Sequence, residues 1–451
     1  MKNSRKPTPK LLTTVLLALI ILTPGFYRNQ WRAAGKDRFY EWRKLQEHMV
    51  IARLVESRES SVFSYGALLG YEYITTSNFN SETLDPGYQT YQKNGRFQSY
   101  SPYTSNPGIQ GVFFGIFDQI TDFPPSLNLR LFHGAMSLLT AFVLGLFIYW
   151  VFNELGWSAG LLTLGFIAFS EWMTLFGGNM YWNLWAFYLP LAVSSIYLMN
   201  NPSSENHKPS AFNTILAIAM FIKCLFTGFE YITTSLIMPL SPFVFYAVRD
   251  SWGWTKFLVR SFKASLGLLG GVIAGLLILT WQIMQVKTGF QEAVVTILNA
   301  LGKRSLGDPS QYIFEADSLN SDLLPVLVKY INGRAVLLSQ ILHLGNISME
   351  ISYHALFLAF LSLTMLLLVI MRSNIHPTTL ANSSALIVIT WISAIAPLSW
   401  FILFKAHSFV HTQMNYIVWQ MPFTLYGFAL CGYTIGLIIE LVSIKKLSRI
   451  H

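Results

Sequence analysis

Long, nearly uncharged apolar runs dominate this chain and leave it few folds to adopt. About ten of them, at 11–27, 129–152, 157–176, 182–199, 211–227, 231–248, 264–286, 354–371, 383–404 and 416–440, stand out in the sequence. Each is close to the length that carries a helix across the hydrocarbon core of a bilayer, about 17–25 residues. Lipid offers the backbone no hydrogen-bond partners, so such runs must close their own as helices. Charge agrees: only 12% of the 451 residues are charged, against about 25% in a water-soluble domain. The expected fold is an all-α polytopic membrane protein. It forms a single integral membrane domain over residues 1–451, with about ten transmembrane helices and two long loops on one side.

Basic segments between the runs set the orientation, because short loops rich in Lys and Arg stay in the cytoplasm. Lys2, Arg5, Lys6 and Lys10 precede the first run. Arg249, Lys256, Arg260 and Lys263 lie between the sixth and seventh, Arg372 follows the eighth, and Lys445, Lys446 and Arg449 close the chain. An even number of spans puts all four groups, and both termini, in the cytoplasm. The N-terminal run also looks like a secretory signal, but no small-x-small cleavage site follows, so an uncleaved first span is expected. The long loops, about 28–128 and 287–353, then fall outside, with short interfacial helices expected near 294–301 and 323–331. Trp157, Tyr181, Trp182 and Trp185 sit at span ends, as an interfacial aromatic belt requires. Short basic termini without a retention signal point to a bacterial inner membrane.

The net charge of +9 is dispersed between apolar runs, so nucleic acid is not an expected partner. Cys224 and Cys431 fall in or beside apolar segments and suggest neither a disulfide framework nor a zinc site. No P-loop or dinucleotide fingerprint occurs. Few charges lie deep in the runs, and the halves show no inverted symmetry, which disfavours an ion-coupled carrier.

Candidate chemistry gathers on the outer side. In the first loop Trp42, Leu45, Met49, Ala52 and Val55 recur at helical spacing, which predicts an amphipathic helix lying on the membrane surface. Glu47 projects away from that stripe. It is either a carboxylate over a membrane-facing cavity or the partner of Arg43 one turn earlier. The segment 100–111 is turn-rich and aromatic. Its Tyr100, Tyr103 and Asn106 offer stacking faces and hydrogen bonds suited to sugars, or ordinary loop packing. Lys223 and Glu230 flank the outer end of the fifth run, either as a functional site or as a mutual pair, and Glu171 and Asn179 lie near the outer end of the third. Lys405, His407 and His411 could donate to a phosphate at headgroup level, as could Lys303 and Arg304 in the second long loop, where Asp308, Tyr312, Lys329 and Arg334 also lie. The four-residue spacing of His407 and His411 permits a divalent metal, but no third ligand is nearby in sequence. The similar segments 70–77 and 228–235 read as a coincidence.

This arrangement resembles the GT-C superfamily of membrane glycosyltransferases, which use polyprenyl-phosphate-linked sugars. The likeness rests on a first span followed by a long outer loop, on segment 46–58 (an acidic residue, Glu47, then a helix containing Ala52), and on segment 100–111, similar to the Pro-rich stretch of lipid A and protein sugar transferases. The family often carries two adjacent acidic residues, whereas here His48 follows Glu47, and Asp37 and Glu41 stand as alternative carboxylates. The resemblance implies an inverting transfer without a soluble cofactor. The donor is a polyprenyl-phosphate sugar and the acceptor a glycan, lipid or protein, with surrounding membrane lipids as the other partner. Glu47 would act as general base. Lys405, His407, His411 and Arg304 would bind the donor phosphate, and Tyr100, Tyr103, Asn106 and Glu230 the substrate. The competing readings are a transporter or flippase for a polar or lipid-linked solute, a polysaccharide polymerase or ligase, and a non-catalytic assembly subunit.

Overall fold

The computed structural model describes residues 10–72, 81–201, 209–306, 322–342, 349–372 and 376–447. Lys2, Arg5, Lys6 and Arg449, Asp308 and Tyr312 of the second long loop, and most of the segment 70–77 lie outside them.

Among the described residues, ten helical segments are candidate passes between two faces. They are α1 (Leu11–Arg28), α5 (Pro125–Leu155), α6 (Trp157–Phe169) with α7 (Glu171–Gly177), α8 (Leu184–Asn200), α9 (Pro209–Thr227), α10 (Ile232–Ile237) with α11 (Ser241–Arg249), α12 (Trp254–Met284), α16 (Tyr353–Met371), α17 (Pro377–Ile392) with α18 (Ile395–Leu403), and α21 (Phe423–Leu447). Seven stretches are long and apolar enough to cross a membrane by length and composition, or eight with the bent pair α6–α7. Two shorter apolar stretches, Leu184–Asn200 and Ala211–Thr227, complete the alternation. The protein is a multi-pass membrane protein.

Between passes stand α2 (Lys36–Glu59), α3 (Ser81–Gln92), α4 (Ile109–Ile120), α13 (Phe290–Leu306), α14 (Leu323–Asn332), α15 (Leu338–Ile341), α19 (Lys405–Val410) and α20 (Thr412–Asn415). All lie on one side, here called the loop face. Two small antiparallel pairs lie there too: β1 (Gly70–Glu72) with β2 (Tyr100–Pro102), and β3 (Arg334–Leu337) with β4 (Glu350–Ser352).

Four expectations change. The seventh span begins at Trp254, not 264, so its first turns carry Lys256, Arg260 and Lys263. The third bends by 69° between Phe169 and Glu171; the Ser170 hydroxyl caps α7 by accepting from Met173 N at 3.3 Å, restarting the helix in a new direction. The last span starts at Phe423, after a 3-10 turn over Tyr416–Gln420. The helix of the first loop does not leave its polar face exposed. Fourteen of its 24 residues are buried, among them Gln46, Glu47 and Arg53. An amphipathic surface helix would leave its polar face wet. Here that face packs against α3, α4 and α7.

Close helix contact is set by small residues. On α12, Gly267, Gly271 and Gly275 repeat every fourth position toward α9. A Cβ on Gly271 would meet the Ala217 carbonyl oxygen at 2.4 Å, and one on Gly267 the Asn213 carbonyl at 2.6 Å. Without side chains there the two backbones touch, the usual way membrane helices gain packing energy when lipid is as apolar as Leu. The lipid-facing periphery is α12 and α16, whose most apolar windows are only 28% and 22% buried, while α5 at 67% is central.

Candidate functional site

Position 47 holds a fully buried carboxylate. Met180 N donates to Oε1 at 2.9 Å, and Tyr88 donates its hydroxyl to Oε2 at 2.9 Å. His133 Nε2 meets the same Oε2 at 2.8 Å. These donors come from α3, α5 and the turn after α7, so the carboxylate is enclosed by elements far apart in sequence. Burial opposes ionisation, but the charge and hydrogen bond of His133, the nearby Arg43 cation and the Met180 amide outweigh it and hold the carboxyl below its ordinary range. The surroundings of Glu47 therefore favour its ionised form.

Glu47 does not point away from the protein, and it makes no hydrogen bond to Arg43. The Arg43 guanidinium instead donates to the carbonyls of Phe26 and Tyr27 at 2.8 and 2.9 Å. It thereby satisfies last-turn carbonyls of α1, which no residue of the helix can reach. The alternative carboxylates Asp37 and Glu41 are exposed and have no hydrogen-bond or ion-pair partner among the described residues.

A second carboxylate lies at Glu230. Arg304 of α13 donates to its Oε1, and His407 Nε2 stands 3.6 Å from its Oε2. The expected Lys223–Glu230 side-chain pair is absent. Lys223 Nζ instead donates to the backbone carbonyls of Gly228 and Glu230 at 2.9 and 2.7 Å, closing the turn after α9. Gly228 in that turn has φ +59°, and a Cβ there would press on Asn106 at 3.1 Å. Burial, then the neighbouring His411 and Arg304, push the His407 imidazole well below its ordinary value. Its Nδ1 accepts from Asn415 at 3.3 Å, and its ring lies 4.6 Å from that of His411. Arg304 and His407 thus both face the Glu230 carboxylate. Lys405 has no partner among the described residues and is half-buried.

Tyr103 belongs to this cluster. Its ring lies near Tyr181, Arg304 and Glu230. Tyr181 follows Met180, whose amide holds Glu47, and the Tyr71 ring lies 5.7 Å from Tyr103 and 5.4 Å from His48. Tyr181 adjoins both carboxylate sites: its chain neighbour Met180 holds Glu47, and its ring lies near Tyr103, Glu230 and Arg304, with Tyr71 packed beside Tyr103. Two other expected substrate residues do structural work. Tyr100 donates to the Leu68 carbonyl at 2.7 Å and fastens the β1–β2 pair. Asn106 is buried and turns its Oδ1 to Gly108 N at 2.9 Å. Its amide nitrogen has no protein partner.

Sequence reasoning did not find His133, Tyr88 as a Glu47 ligand, or the Met180 amide. The one available signal was a histidine near the start of an otherwise apolar span. Another fully buried carboxylate, Glu171, is bound at both oxygens by Arg334, at 2.7 and 2.8 Å, with Arg38 3.1 Å away. It ties the β3–β4 pair and α2 to α7. No group of three or more His, Cys, Asp or Glu suited to a metal occurs among the described residues.

Comparison with protein-family models, curated proteins and solved structures finds no match for this chain.

Proposed function

We propose that the protein is a membrane glycosyltransferase. It moves a sugar from a polyprenyl-phosphate donor to an acceptor hydroxyl at the loop face, which on this reading is the outer face of a bacterial inner membrane with both termini cytoplasmic. The observation that carries the reading is that Glu47 is fully buried and already accepts a hydrogen bond from a hydroxyl, that of Tyr88 at 2.9 Å, while its surroundings favour the ionised form. A geometry that accepts one hydroxyl can accept another. The acceptor hydroxyl would take the place of the Tyr88 phenol, and Oε2 of Glu47 would take its proton as the oxygen attacks the anomeric carbon. The bond from that carbon to the lipid phosphate breaks on the opposite side, with inversion. His133 keeps the carboxylate oriented while it gains the proton. The polar rings of Tyr71, Tyr103 and Tyr181 supply a sugar-binding surface beside it, and Lys405 supplies a cation for the leaving phosphate.

The test is transfer from radiolabelled polyprenyl-phosphate sugars by the purified protein in lipid. Glu47→Gln should lower the rate by about a hundredfold or more, the usual contribution of a positioned base, while donor binding persists. Tyr88→Phe, which vacates the acceptor position, should keep at least wild-type activity. Transfer untouched by Glu47→Gln would remove Glu47 as base. Solute or lipid movement without transfer would establish the transporter reading instead.

A further inference from the structure

At the loop-face end of α1 a cavity of about 480 Å³ is lined by Arg28, Arg32, Lys36, Asn29, Tyr40 and Gln340, with Phe39 among its apolar walls. Three cations face it, and no carboxylate is among its lining residues. None of the three has an acidic partner among the described residues; Arg28 only overlies the ring of Tyr27, at 5.1 Å. The acids nearest in sequence, Asp37 and Glu41, sit on α2 outside the lining. Three like charges around one cavity repel unless an anion joins them.

The turn that presents the cations is rigid. Asn29 and Arg32 both take left-handed backbone angles, φ 52° and 54°. For an arginine that conformation costs roughly 1 kcal/mol or more and persists only where the surroundings impose it. Here they do. The Asn29 side chain holds Ala34 from both sides, donating to its carbonyl at 2.7 Å and accepting from its amide at 3.2 Å. Trp31 donates back to the Ile21 carbonyl at 2.7 Å. The cavity is also placed for lipid. Leu12, Leu16 and Ile20 are exposed on one face of α1 at four-residue spacing, the row that continues to Arg28. An apolar track on the outside of the bundle thus ends at a basic cavity at headgroup depth.

We propose that this cavity binds the phosphate headgroup of an anionic membrane lipid in the loop-face leaflet, with its chains along α1. The first turn of α2, uncapped by any side chain, adds free amides at Lys36 and its neighbours. The site is separate from Glu47, which lies eight residues beyond Phe39, about 12 Å along α2. It does not depend on the protein being a transferase.

The experiment is thermal unfolding of the full chain in detergent as phosphatidylglycerol, phosphatidylcholine or inorganic phosphate is added. Phosphatidylglycerol should raise the Tm in a saturable way, with phosphatidylcholine and inorganic phosphate inert at the same concentrations. Arg28→Gln/Arg32→Gln/Lys36→Gln should weaken the apparent affinity about a hundredfold, and Arg32→Gln alone about fivefold, a factor of about five per cation. All three residues are exposed, so the variants should fold. Lys256→Gln/Lys263→Gln, at the opposite face, should leave the response intact. An equal response to phosphatidylcholine, or an unchanged one in the triple variant, overturns the proposal. A response to inorganic phosphate as strong as to the lipid assigns the cavity to free phosphate.

Discussion

At the scale of single residues, the chemistry of the loop face is set by how each buried charge is matched. Glu47 and Glu171 are completely enclosed, and each survives there because donors converge on both oxygens. A buried charge stripped of its partner costs several kcal/mol, so donor and carboxylate hold each other in place. For Glu47 this has a consequence in pH. Its folded carboxyl is held below the ordinary value of 4.5. A depressed acid adds stability that is fully present above the unfolded value and is lost as pH falls through the folded one. Thermal unfolding of wild type and Glu47→Gln between pH 7 and 3 should therefore converge at the acid end. The variant should be less stable by about 1–3 kcal/mol at pH 7, because an amide cannot accept from all three donors. Parallel curves would mean that Glu47 carries no charge in the fold. Sequence made Glu47 legible as a candidate, since a carboxylate beside an apolar stripe is conspicuous. Its surroundings were not legible, because His133 and Met180 lie 86 and 133 positions away in the chain. The same holds for Glu230. Its sequence neighbour Lys223 suggested a local pair, yet the carboxylate reaches Arg304, 74 positions on, while the lysine turns to carbonyls.

At the scale of elements, two contacts decide how the loop face sits on the bundle and how the bundle closes. The β3–β4 pair is anchored by the double bond from Arg334 to Glu171, with Glu350 of β4 adding a looser contact at 3.4 Å. Arg334→Met would leave Glu171 buried with only Arg38, an arrangement that costs about 3–5 kcal/mol. The loss should be local. Hydrogen exchange should speed up in Arg334–Leu337 and Glu350–Ser352 while α12 and α16 stay protected, and unchanged exchange in the strands would show that the ion pair does not hold them. The second contact is the glycine row of α12. Gly271→Val places new atoms where the Ala217 carbonyl already stands, so α9 and α12 must separate. Destabilisation of about 1–3 kcal/mol, the usual cost of overpacking, should appear in detergent unfolding, whereas Gly270→Val, where a Cβ meets open space, should cost far less. The spans themselves could be read from sequence, because hydrophobic length is a local property. The bend at Ser170 and the late start of α21 could not, because an apolar run has the same composition whether its helix is straight or broken. The first-loop helix misled for a related reason: its spacing showed one apolar stripe, but the other face is covered by α3 and α4, which only the fold brings there.

For the whole molecule, the two faces differ in kind. The loop face carries α2–α4, both strand pairs, α13 and the enclosed carboxylates. The opposite face carries short connections and an ion-pair cluster in which Arg249 pairs with Glu154 and Asp250 while Asn382 donates to the Glu154 carbonyl at 3.2 Å. That division requires α8 and α9 to cross, although each has an apolar stretch of only 17 residues. At 1.5 Å per residue such a helix spans about 25 Å, just short of a typical core of about 30 Å, and polar ends or local thinning make up the rest. If both cross, the connection between α11 and α12 lies opposite the connection after α12, and the first long loop lies with the latter. Cysteine accessibility tests this directly. Cys224 and Cys431 are the chain's two cysteines, so a Cys224→Ser/Cys431→Ser background has no thiol to label. Ser61, Ser251 and Thr288 are all exposed. In sealed cells Ser61→Cys and Thr288→Cys should react with a membrane-impermeant thiol reagent, and Ser251→Cys only after permeabilisation. The reverse pattern would keep the two-faced architecture and invert its orientation, moving the Glu47 site and the basic cavity to the cytoplasmic leaflet. Ser251→Cys reacting together with Thr288→Cys would mean that α12 does not cross. The alternation of faces would then fail, because α12 is among the longest and most apolar of the ten passes.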